Sequence, residues 1–78
     1  MKGGKLMVNT ELLKKKIEDS GLKKVYLARK CGLSLAGFSN CVNNRAEFKS
    51  SHVKILCDEL KITSLKEKED IFFAGMVH

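Results

Sequence analysis

Proline is absent from this chain, tyrosine occurs once, and no apolar run is long enough to cross a bilayer. Without proline, no segment carries the residue that most strongly interrupts a helix. The lack of a long apolar run argues against a membrane span, and the N-terminus has no hydrophobic stretch of the secretory kind. A cytoplasmic location is expected. The three cysteines, Cys31, Cys41 and Cys57, form no close pair of the sort a zinc site uses, and their number is odd. Each falls at an apolar position of a helical pattern, so all three are expected as small core residues, with no metal and no disulfide. Catalytic groupings are lacking too. No nucleophile stands near a histidine and an orienting acid, and neither His52 nor His78 has partners at metal-ligand spacing. Gly3-Gly4 leads into no strand or lysine-capped helix, as a phosphate-binding loop would. A binding protein is expected rather than an enzyme, with no cofactor and no small-molecule ligand.

Seventy-eight residues can form one small domain and no second core. Their charge is uneven. Residues 1–49 hold eleven Lys or Arg against four acids, a balance of +7, whereas residues 50–78 hold four against five, a balance of −1. A basic surface confined to one half suits a nucleic-acid partner, although a solvated lysine-rich face would look the same.

Apolar residues recur at helical spacing, which predicts an all-α domain of five short helices. The first six residues, MKGGKL, have neither periodicity nor a cap, and Met7 follows. Lys-Gly-Gly can be encoded by a purine-rich sequence like a bacterial ribosome-binding site, so Met7 is expected to be the natural start and Met1–Leu6 translated leader. Residues 1–8 are assigned to a disordered leader, 9–75 to the domain and 76–78 to a tail. The first helix is expected from Thr10, as N-cap, to Asp19, burying Leu13 and Ile17 with Leu12 beside them, and Lys14–Lys16 facing solvent. Ser20-Gly21 ends it. The second spans Lys23 to Cys31 and buries Leu27, Ala28 and Cys31. The third follows Ser34 to Val42, with Phe38, Cys41 and Val42 inward. The fourth opens at Ser50 or Ser51 and carries the cleanest stripe, Val53, Leu56, Cys57 and Leu60, before Ile62 closes over the core. The fifth opens on the capping box Ser64-Leu-Lys-Glu67 and runs through Ile71, Phe72 and Phe73.

The segment from Leu22 to Arg45 holds most of the functional information. Gly32 stands where a helix must stop sharply, since a residue without Cβ takes the left-handed conformation freely. Leu27 and Ala28 precede it, Leu33 follows as an apolar plug, Ser34 is a good N-cap, and Phe38 lies four residues beyond. That order is what a helix-turn-helix needs: a close helix crossing, a permissive turn and an apolar anchor under the second helix. Asn43-Asn44-Arg45 makes a polar exit, because asparagine tolerates left-handed geometry.

On these residues, Leu22, Leu27-Ala28, Gly32-Leu33-Ser34, Phe38 and Asn43, the chain resembles the lambda-repressor-like helix-turn-helix family, the Xre/Cro type of phage and bacterial regulators. The resemblance covers about residues 9–74. It implies a five-helix DNA-binding domain whose third helix enters the major groove, and a protein that binds double-stranded operator DNA as a dimer. The exposed early face of that helix would present Leu35, Ala36, Ser39 and Asn40 to the bases. Asn40 would bond adenine, Ser39 several bases, and Leu35 and Ala36 would pack on thymine methyls. Many relatives carry polar residues at the positions of Leu35 and Ala36, so shape readout is expected to add to direct contacts. Lys23, Lys24, Ser34, Asn43, Asn44, Arg45 and Lys49 are the expected phosphate contacts, aided by the start of the second helix. Gly37 is unusual inside a helix.

Ile71, Phe72, Phe73, Met76 and Val77 crowd the end of a small domain, which predicts a homodimer interface through Phe72, Phe73, Met76 and Val77. The leading expectation is a phage or prophage type repressor occupying a palindromic operator. The alternative is an antitoxin-like or adaptor protein-interaction module, favoured by the weakly polar reading face and the apolar tail.

Overall fold

A computed structural model describes residues 7–73; residues 1–6 and 74–78 lie outside it, and with them the expected leader Met1–Leu6 and the tail. The described residues form five helices: α1 (Thr10–Ser20), α2 (Lys24–Lys30), α3 (Leu35–Val42), α4 (Ser50–Glu59) and α5 (Leu65–Phe72). No strand occurs among them, and none of their helices is long and apolar enough to cross a membrane. The chain is all-α, as its periodicity predicts.

Helix ends follow from identifiable side chains. Ser34 accepts from Gly37 N–H and Ser64 from Glu67 N–H, each satisfying a first-turn donor. The N-cap of α1 is Asn9, not Thr10: Asn9 Oδ1 accepts from Leu12 N–H, while Thr10 Oγ1 donates to the Val42 carbonyl at 2.8 Å. Both residue types cap well, so sequence preference alone does not separate neighbours. Lys49 precedes α4, and His52 Nδ1 reaches back to accept from its N–H.

Three helices end in one way. After α2, Gly32 takes φ 73°, and the bonds Leu33 N–H to Ala28 carbonyl and Gly32 N–H to Arg29 carbonyl close a Schellman motif. Asn44 (φ 63°) does the same after α3, and Lys61 (φ 57°) supports the Ile62-to-Cys57 bond after α4.

The core is apolar throughout. Leu13, Leu27, Phe38, Leu56 and Phe72 are fully enclosed, and no charged or polar side chain is buried among them. Cys31, Cys41 and Cys57 are buried free thiols, and burial raises the pKa of each. Leu12, expected beside the α1 core pair, stays 41% exposed. Lys16 does not simply face solvent, since its Nζ meets Glu67 Oε2 at 2.9 Å and ties α1 to α5.

Two core residues break the helical pattern. Val8 is buried, so the packed core reaches one residue before the expected boundary at residue 9, while Met7 stays exposed. Asn44 fixes it by accepting from Val8 N–H and donating to the Val8 carbonyl, both at 2.9 Å. Asn9 N–H then bonds the Ile71 carbonyl, so this short strip joins the end of α3 to α5. Phe48, in the loop before α4, packs edge-on against Phe38 and Phe72. Phe72 is fully buried and Phe73 packs against the core, so Phe72 is not available to a dimer interface. Met76 and Val77 lie outside the described residues.

Candidate nucleic-acid interface

α3 is amphipathic in the sense its residues require. Phe38, Cys41 and Val42 are buried, whereas Leu35, Ala36 and Asn40 are exposed and Ser39 is partly so. The buried side packs chiefly on α2 and α1, and α5 packs on α1. The opposite side is exposed. It carries no charged side chain of its own, and Leu35 is 50% exposed.

Glycine at position 37 has a local reason. A Cβ there would come 3.2 Å from Ser34 Oγ, the oxygen that caps Gly37 N–H at 3.0 Å. The missing side chain leaves the cap uncrowded at the start of the open face. Ser34 uses its oxygen for the cap and keeps its hydroxyl hydrogen for an outside acceptor.

The expected phosphate contacts divide into two groups. Lys23, Lys24, Arg45 and Lys49 are all exposed, and no side chain caps the start of α2 at Lys23. The asparagines behave otherwise. Asn43 Nδ2 donates back to the Ser39 carbonyl at 2.9 Å and lies 3.4 Å from Ser39 Oγ. Asn44 Nδ2 serves the Val8 carbonyl and lies 3.5 Å from Thr10 Oγ1. Their donors are turned inward to hold the end of α3, so both are structural rather than phosphate-binding in this arrangement. The asparagine code in a helix exit is ambiguous, because the same amide serves a backbone carbonyl or a phosphate equally well.

Sequence reasoning missed one contact in this region. Arg45 Nε donates to Asn40 Oδ1 at 3.2 Å, joining the cation after α3 to the open face of the helix. No periodicity signals a bond between residues five apart across a left-handed turn. Farther round, Tyr26 donates to Glu59 Oε1 at 2.8 Å and Lys30 Nζ lies 3.9 Å from Glu59 Oε2, so the later part of α2 is tied to α4. The Glu59 hydrogen bond raises the Tyr26 pKa. The Tyr26 hydroxyl is thereby engaged within the domain.

A depression of about 540 Å³ lies away from this face, between α1 and α5. Its charges are matched in pairs, Lys15 with Asp19, Lys16 with Glu67 and Lys66 with Asp70. Among the described residues no cluster of His, Cys, Asp or Glu is arranged to hold a metal ion. No protein-family model matches the chain, and no curated protein or solved structure matches it either.

Proposed function

We propose that this protein is a sequence-specific DNA-binding transcriptional regulator of the lambda-repressor-like kind, with α2 and α3 as its helix-turn-helix. The observation that carries the reading is the open face of α3: one side of a capped helix is anchored by Phe38 while Leu35, Ala36 and Asn40 stay exposed. A helix of this size fits the major groove, where each base pair offers a distinct pattern of donors, acceptors and methyl groups. Leu35 and Ala36 would meet thymine methyls, and Ser39 and Asn40 would meet polar base edges. Lys23 and Lys24 at the uncapped start of α2, with Lys49 before α4, would take phosphates. In this reading the protein is a phage or prophage type repressor that covers a palindromic operator as a two-fold pair.

Selection from a random duplex pool, followed by binding titrations at several salt concentrations, tests the proposal. Each neutralised phosphate lowers log affinity by about 0.9 per log unit of salt. Three lysine contacts therefore predict a roughly forty-fold loss per subunit between about 50 and 200 mM salt. Absence of duplex binding at low salt overturns the reading.

The half-exposed Leu35, with Val25 48% exposed on α2, favours a second reading as an antitoxin-like or adaptor module that binds another protein. Such an apolar interface would respond little to salt.

A further inference from the structure

On the open side of α3 a free asparagine would pair with adenine, its oxygen accepting from N6 and its nitrogen donating to N7. Asn40 is not free in that sense. Its Oδ1 accepts from Arg45 Nε at 3.2 Å, which places a guanidinium beside the oxygen that adenine would need. The backbone holds the two residues together as well: the Asn40 carbonyl accepts from Arg45 N–H at 2.8 Å and from Ala46 N–H at 3.2 Å. These bonds belong to the helix end closed by the left-handed Asn44, so Arg45 stays near Asn40 while α3 keeps its last turn.

What this pair adds outward is donors. Asn40 Nδ2 and the two terminal nitrogens of Arg45 carry hydrogens and no acceptor. Only guanine shows two acceptors side by side in the major groove, O6 and N7. Adenine sets an amino donor beside its N7, cytosine shows an amino group, and thymine sets a methyl beside a single oxygen. We infer that Asn40 and Arg45 act as one unit that recognises guanine, once per bound subunit. The terminal nitrogens of Arg45 take O6 and N7, and Asn40 holds the guanidinium in position. Arg45 is then a base-reading residue rather than a phosphate contact. The inference rests on the DNA-binding reading above.

Duplexes selected from a random pool by the wild-type chain, and single-base variants of them, supply the test. The proteins compared are wild type, Asn40→Ala, Arg45→Ala, Arg45→Lys and the Asn40→Ala/Arg45→Ala double variant, each checked for unchanged helix content by circular dichroism. Wild type should select guanine at one position per half-site and lose roughly ten-fold or more when it is replaced. Arg45→Lys should retain general affinity but lose most of that discrimination, because an ammonium lacks the planar fork. Asn40→Ala should weaken discrimination at the same position and add nothing in the Arg45→Ala background. Selection of adenine there overturns the inference, as does an Arg45→Ala variant that weakens all duplexes equally with discrimination intact. Additive effects of the two residues at separate positions overturn it too. In those outcomes DNA binding itself survives, whereas a wild-type chain with no duplex affinity at low salt removes both proposals.

Discussion

Asn44 and Lys61 share a left-handed backbone, φ 63° and 57°, and after each the next residue's N–H bonds back to a helix carbonyl five residues earlier. Their side chains differ in what they return. Asn44 uses its amide on both backbone groups of Val8, whereas the Lys61 side chain is exposed and makes no hydrogen bond or ion pair among the described residues. The same substitution should therefore have opposite effects. Lys61→Gly removes the Cβ cost of this conformation, and a gain of about 0.5–1 kcal/mol is expected. Asn44→Gly keeps the backbone but releases Val8, and a loss of about 1–3 kcal/mol is expected. Urea denaturation of the two variants measures both signs. The buried thiols give a pH prediction. Burial raises the pKa of Cys31, Cys41 and Cys57 in the folded chain, so the folded state holds its thiol protons longer than the unfolded one. Their neutral form thus favours folding at neutral pH, and that contribution falls as pH rises past about 9. Stability against urea should decline on this alkaline side, and a variant with all three cysteines changed to alanine should show a shallower decline.

At the scale of elements, α3 shows how far local signals reach. Ser34 before the helix, Gly32 before that and Phe38 within it announce the bounds that are observed, Leu35–Val42, because capping and left-handed geometry depend on near neighbours. The start of α1 is one residue earlier than the expected Thr10 cap, since Asn9 and Thr10 are both competent caps and only the Thr10–Val42 contact decides between them. Ser34→Ala should cost about 1 kcal/mol in thermal or chemical denaturation through the lost Gly37 bond. Gly32→Ala should cost about 1–2 kcal/mol, although a Cβ there meets nothing within 4 Å, because the penalty lies in the left-handed backbone. A neutral result for Gly32→Ala would mean that the α2–α3 turn takes another conformation.

For the whole molecule, the decisive residue is one that no pattern marks. Phe48 stands alone in a polar loop, yet it joins Phe38 of α3 to Phe72 of α5. Phe48→Ala should cost about 3–5 kcal/mol, close to the full stability of many small domains, and a largely unfolded variant at room temperature is expected by circular dichroism. The same packing changes the account of a two-fold complex. Phe72 is interior, while the large apolar side chains left outside on α1 and α5 are Leu12 at 41% and Leu65 at 70% exposure. The domain measures 34 × 25 × 20 Å, and a two-fold pair reading a palindrome would have to set its α3 helices roughly 34 Å apart, about one DNA turn. If the pair forms through the α1–α5 side, Leu65→Glu should convert two-subunit complexes on a selected duplex to single-subunit ones in sedimentation. Helix number, the bounds of α3, the turns at Gly32 and Asn44, and the apolar stripes were all legible in the chain itself, because each depends on residues within one or two turns of helix. That Val8 and Phe48 belong to the core, that Asn43 and Asn44 face inward, and that Asn40 holds Arg45 were decided only by the tertiary structure. Those outcomes depend on which distant or aperiodic groups are brought within hydrogen-bonding and van der Waals reach, and no local rule of spacing encodes that.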